Sequence, residues 1–110
     1  SMNKNWLYVI VGGILEIFWV LCLKKSEGFS NLSFSIMTII LVIVSFYLFA
    51  LGMENLPTGI AYTVFTGIGA VGTIVFGIVF LNESISTFKI LFSALLIIGI
   101  LGLKMTSKEE

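Results

Sequence analysis

Four long apolar runs, separated by short polar connectors, constrain the fold of this chain more than any other feature. They cover residues 6–23, 34–53, 58–81 and 85–103, each near the ~20 residues an α-helix needs to cross a bilayer. In hydrocarbon every backbone N–H and C=O must be satisfied within the protein, which leaves helices or closed barrels, and runs of this length predict helices. The first connector contains Lys24, Lys25, Glu27, Gly28 and Asn31; the second is Glu54-Asn55-Leu56-Pro57, with Pro57 suited to open a helix; the third is Asn82-Glu83-Ser84. None could hold a soluble domain and no repeat emerges, so residues 1–110 are expected to form one all-α, four-helix transmembrane domain. Lys89 interrupts the start of the last run but lies near enough to its end to snorkel to the interface.

Composition excludes the alternatives. The chain is 58% hydrophobic and only 11% charged, with a mean hydropathy of +1.14, against roughly 25% charged in a soluble domain. A soluble fold of 110 residues could not hide so much apolar surface. Arg, Asp and His are absent, which removes the bidentate phosphate clamp, the imidazole shuttle and any metal cluster. Enzyme chemistry, a metal and a cofactor are therefore not expected. Zero net charge without a basic patch leaves nucleic-acid binding no electrostatic basis. The lone Cys22 cannot form an intrachain disulfide and reads as a small packing hydrophobe. The first run follows Lys4 as a signal peptide would, but it contains Glu16 and lacks a small-x-small cleavage site, so it reads as a retained helix.

With four spans both termini share one side of the membrane, together with Lys4, Lys104 and Lys108, while Lys24, Lys25 and Lys89 lie on the other. Three against three gives no orientation bias. Either small counts balance by chance, or the chain inserts in both senses. Two opposed copies would supply the inverted symmetry that many transporters encode as internal repeats.

Glu16 is the one carboxylate inside a run. It lies eight residues before Lys24, or ~12 Å along a helix at ~1.5 Å per residue. A charge at that depth costs on the order of 2.5–3.5 kcal/mol on insertion scales, so the side chain should face a cavity or a partner. The plain structural reading is a protonated Glu hydrogen-bonded to a neighbouring helix; the functional reading is a site. Burial penalises the charged form and a bound cation favours it, so proton and cation compete for this group. By linkage that competition is an exchange mechanism in outline.

One turn to either side of Glu16 are Gly12, Gly13, Trp19 and Val20. The glycines would let another helix approach closely. Trp19 either shares the site or anchors the helix at the interface. In the third run Tyr62, Thr66, Gly69 and Thr73 form a small and polar stripe, with Phe65 beside Tyr62, and this face either lines the Glu16 cavity or packs helices together. Thr38, Ser45 and Gly52 share a face of the second run, where a Ser can also bond its own backbone. Residues 67–72 match G-x-G-x-x-G, but without a strand before them the match is spurious. Gly67 and Gly69 are better read as close packing or a flexible point, and Gly99 and Gly102 as close contact, including contact between subunits. Four helices barely enclose a solvated site, so two copies of Glu16 around one cavity, in a dimer, are expected.

Gly13-Ile14-Leu15-Glu16, Ser26-Glu27-Gly28-Phe29, Leu56-Pro57-Thr58-Gly59-Ile60-Ala61-Tyr62 and Thr66-Gly67-Ile68-Gly69, in that order, resemble the motifs of the small multidrug resistance family up to Lys104. Glu16 followed by Trp19, the 66–70 segment and the closing Gly102-Leu103-Lys104 look like its guanidinium exporter subtype. The resemblance implies an antiparallel, dual-topology dimer in the inner (plasma) membrane, proton antiport, and guanidinium bound by two copies of Glu16. It also implies that Ser45 and Trp19 hydrogen-bond and orient Glu16, that Tyr62 gates or lines the site, and that the fourth helix makes much of the dimer contact. Phe65 departs from the family's usual Trp and lacks the indole N–H. Some paired, heterodimeric members carry Phe there, whereas the balanced lysines favour a homodimer. Two other functions compete: polyspecific export of quaternary ammonium or aromatic cations, and a membrane assembly subunit that transports nothing.

Overall fold

The structure is a computed structural model that describes the backbone of residues 2–106 and the side chains of residues 4–105; Lys108 of the loop-charge count lies outside the described residues. Four helices follow in order: α1 Met2–Lys25, α2 Leu32–Met53, α3 Thr58–Phe80 and α4 Thr87–Thr106. All four are long and apolar enough to span a bilayer.

The boundaries follow from local chemistry. Buried Ser26 ends α1: its hydroxyl donates to the Leu23 carbonyl at 2.7 Å and accepts from the Phe29 N–H at 3.1 Å, and its carbonyl accepts from Ser30 and Asn31, each at 2.9 Å. Around that hub Glu27, Gly28 and Phe29 all take positive φ, at 51°, 71° and 66°, a run of left-handed residues that only dense local bonding holds in place. Asn31 then caps α2 by accepting the Phe34 N–H at 3.2 Å. Helix α3 ends at Phe80, one residue before the apolar run does. There the Leu81 and Glu83 N–H groups both donate to the Gly77 carbonyl at 3.1 Å, and Asn82 has a φ of 56°. Helix α4 starts at Thr87 because the Ser86 hydroxyl accepts the Lys89 N–H at 3.1 Å, leaving Ile85 in the connector. The Lys89 ammonium reaches back to the Ser84 carbonyl at 2.8 Å, the snorkelling direction.

The helices form a slab of 44 × 34 × 16 Å. Helix α1 is its centre, packed on α2 and on α3; α3 carries α4, and the α2 and α3 backbones stay further apart and meet through aromatic side chains. The core of the slab gathers toward the terminal end, where Trp6, Val9, Phe49, Leu56, Ala61, Val64 and Phe65 form one buried cluster.

Glycines set the closest approaches. A Cβ on Gly12 would stand 2.9 Å from the Ser45 carbonyl oxygen of α2, and one on Gly13 would stand 3.1 Å from the Phe65 carbonyl oxygen of α3. Two adjacent glycines thus let α1 close on both neighbours. At Gly52 a Cβ would meet the Asn5 carbonyl at 2.6 Å and Val9 at 2.7 Å. At the opposite end the Lys24 ammonium bridges Glu83 at 2.7 Å, tying the α1 terminus to the α3–α4 connector.

Two outcomes follow. Gly52→Ala should destabilise the purified protein by about 1–3 kcal/mol, the usual range for overpacking, whereas Gly59→Ala, which meets nothing within 4 Å, should leave unfolding in detergent unchanged or slightly improved. The hydrogen bond and charge of Lys24 hold the Glu83 carboxyl below the usual carboxylate range. The bridge therefore persists as pH falls through that range and is lost only below it; a carbon-13 titration should place Glu83 low, and Lys24→Gln should bring it back up.

Candidate functional site

Glu16 sits one turn beyond the twin glycines, on the face of α1 that meets α3. A Cβ on Gly69 would overlap the Glu16 carboxylate, so the missing side chain is what gives the carboxylate its place against the α3 backbone. Glu16 is half-buried, and its Oε1 is fully buried without a hydrogen-bond partner. An acceptor left in this condition forfeits on the order of 1–3 kcal/mol, which a protonated or cation-bound carboxylate would recover.

Trp19 lies one turn further along α1. Its indole Nε1 is also buried and unpartnered, and its ring lies against Phe46 of α2, with centroids 6.5 Å apart. An interfacial anchor keeps its N–H at the headgroups; here the donor is inside the protein. Glu16 and Trp19 thus bring an acceptor and a donor, both with unspent hydrogen-bonding capacity, to successive turns of one helix.

Ser45 behaves differently from expectation. It is fully buried, and its hydroxyl donates to the Gly12 carbonyl at 2.8 Å. A hydroxyl has one proton to give, so Ser45 does not donate to Glu16 in this structure. The cause is the close α1–α2 approach at Gly12, which brings that carbonyl within reach. Trp19 likewise makes no hydrogen bond to Glu16 here.

Phe65 is 1% exposed. It is stacked on Phe49 at 4.5 Å and lies 5.4 Å from Phe46. Tyr62 is exposed, 6.0 Å from Phe49. A continuous aromatic run therefore leads from Trp19 through Phe46, Phe65 and Phe49 to Tyr62, crossing three helices. Thr66 donates to the Tyr62 carbonyl at 2.8 Å, an ordinary backbone bond within its helix. Gly67 admits Ile100 of α4, and Gly99 meets nothing within 4 Å. Phe46 and Phe49 are the residues that sequence reasoning missed; their spacing of one turn beside Ser45 was the available signal.

Comparison with known proteins places this geometry in context. The Small Multidrug Resistance protein family model matches residues 4–107. The Guanidinium exporter of Yersinia pseudotuberculosis serotype I is 48% identical over 102 residues, 93% of this chain and 98% of that one. The Guanidinium exporter of Proteus vulgaris is 45% identical over 103 residues, 94% and 99% of the two chains. That of Escherichia coli K12 is 44% identical over 103 residues, 94% and 98% of the two chains.

The carboxylate's position depends on Gly69. In Gly69→Ala the added methyl should displace it, moving the Glu16 carboxyl carbon-13 resonance well beyond any change in Gly59→Ala, with a stability loss of about 1–3 kcal/mol. An unmoved resonance would mean that the glycine does not make room for the carboxylate.

Proposed function

This chain belongs to the small multidrug resistance family, and on that premise we infer that it is a proton-coupled exporter of guanidinium and small guanidinyl cations. It is a multi-pass protein of the inner membrane, built on four spanning helices. The observation that carries the reading is the Glu16 carboxylate seated against Gly69 at membrane depth, with a buried oxygen that none of the described residues satisfies. An ionisable group so placed is expensive to keep and marks an ion or proton pathway. Guanidinium is planar and carries donors around its whole edge, which a carboxylate matches with paired hydrogen bonds.

Exchange follows from one group serving two ligands. A proton on Glu16 removes the charge that holds the cation, and a cation on Glu16 removes the place for the proton, so each expels the other. Trp19 Nε1–H is a donor only, so that atom can bond a carboxylate oxygen but not a cation. Its role on this reading is to hold one carboxylate oxygen while the other faces the ligand.

The working unit is a dimer of opposed copies. Glu16 is only half-buried within one copy, and the α4 backbone approaches that of α3 alone among the described helices, with no buried residue in its span. A second copy would close the site, add a second carboxylate and cover α4. The balanced loop lysines favour a homodimer over a paired homologue.

The aromatic run from Trp19 to Tyr62 supports a second reading, export of larger quaternary ammonium or aromatic cations held by ring faces. Transport separates the two. In liposomes holding a pH-sensitive dye, guanidinium should drive proton movement through the wild type and tetrapropylammonium should drive little; Glu16→Gln should abolish both. The reverse substrate preference would favour the second reading. Undiminished transport by Glu16→Gln would overturn both.

A further inference from the structure

The contacts between α1 and α3 change character at Glu16. The two helices run parallel: Gly13 of α1 meets Phe65 and Ile68 of α3, Glu16 meets Gly69, Ile17 meets Gly72, the Phe18 ring meets that of Phe76, and Lys24 meets Glu83 just past the end of α3. On the terminal side of Glu16 this seam is fixed. Backbone approaches backbone at Gly13, the neighbouring Gly12 carries the Ser45 hydrogen bond, and every member of the buried cluster around Trp6 and Phe65 lies there. On the Lys24 side the same two helices are held by less. Ile17 fills the space that a Cβ on Gly72 would need, the exposed Phe18 ring touches Phe76 edge-on with centroids 5.9 Å apart, and an ion pair ends the series. Segments with few buried contacts are the ones that open without global unfolding.

The local backbone builds the ion pair. The Glu83 N–H donates to the Gly77 carbonyl at 3.1 Å, Asn82 turns the chain with a φ of 56°, and a Cβ on Gly77 would overlap the Glu83 carboxylate. The α3–α4 connector is thus wound back on the end of α3 and presents its carboxylate to Lys24 at 2.7 Å. Lys89, in the first turn of α4, turns its ammonium to the Ser84 carbonyl at 2.8 Å. With side chains 59% and 36% exposed, the Lys24–Glu83 pair sits where ion pairs are weak and reversible. That suits a contact made and broken in each cycle better than one that holds a fold together.

We propose that the Lys24–Glu83 pair is a latch on the Lys24 half of the α1–α3 seam, and that its release parts the seam and opens Glu16 to water from that side. The seam parts at Phe18–Phe76 and Ile17–Gly72, pivoting on the glycine contact at Gly12 and Gly13, which stays closed. Glu16 stands at the boundary between the two halves, so it is the first group beyond the pivot that water reaches. The inference rests on the exporter reading for its purpose: in opposed copies the two latches face opposite sides of the membrane, so releasing one exposes Glu16 to one side only.

Thiol labelling tests the latch without guanidinium, so its outcome is separate from that of the transport assay behind the exporter reading. Val20, half-buried one turn beyond Glu16 toward Lys24, reports as Val20→Cys in a Cys22→Ala background, purified in detergent and treated with a water-soluble maleimide. Lys24→Gln and Glu83→Gln should each speed labelling about two- to fivefold, the range one exposed ion pair allows. The double variant should be no faster than either single one, since the same pair is lost in all three. Lys24→Arg should keep the parent's slow rate. Val9→Cys, in the fixed half, should label slowly in every variant, which separates an opened seam from a loosened fold. Equal Val20→Cys rates with and without the pair, additive effects of the two Gln substitutions, or equal acceleration at Val9→Cys would each overturn the proposal.

Discussion

The close approach of α1 to two neighbours at Gly12 and Gly13 is the contact from which the rest of the structure follows. One glycine admits the α2 backbone and the next admits that of α3, so α1 becomes the middle of the slab rather than one edge of a bundle. In a membrane the lipid is as apolar as the helices, and association rests on such packing and on interhelical hydrogen bonds. The bond from Ser45 to the Gly12 carbonyl is of the second kind. Once α1 is fixed, Glu16 falls one turn on against Gly69, and Trp19 another turn on against Phe46.

The energetic tension in this arrangement is at Glu16. Placing a carboxylate in the span costs on the order of 2.5–3.5 kcal/mol, and among the described residues none hydrogen-bonds the buried oxygen. The Ser45 hydroxyl, expected on Glu16, commits its proton to the Gly12 carbonyl instead. Left unsatisfied, the carboxylate draws its stabilisation from a ligand, and on the proposed reading two ligands of like charge take turns. On that same reading the cation is guanidinium, whose planar edge of donors suits a carboxylate acceptor.

Much of this was legible in the sequence, and what was not has a physical reason. The four runs, the connectors and the isolated carboxylate stand out because a bilayer imposes length and penalises charge whatever the tertiary structure. The glycines at 12, 13 and 69 were legible as close-packing positions, but not which helix each admits. A soluble helix advertises its buried face by amphipathicity; here lipid-facing and protein-facing residues are alike apolar, so Phe46 and Phe49 gave little sign that they join Trp19 to Phe65. The Ser45 hydroxyl illustrates the same limit, since its acceptor, the Gly12 carbonyl, comes within reach only through a helix separation set by Gly12. The Ser26 hub was hidden because side-chain bonds hold its neighbours in left-handed conformations that glycine alone would normally suggest.

The central claim is that one carboxylate binds proton and cation in turn. Proton release on cation binding tests it most directly: guanidinium added to weakly buffered, purified protein in detergent, with the bulk pH followed. Wild-type protein should release protons in proportion to the sites filled, Glu16→Gln should release none, and apparent affinity should weaken as pH falls. Guanidinium binding without proton release, or release that survives Glu16→Gln, would contradict the account.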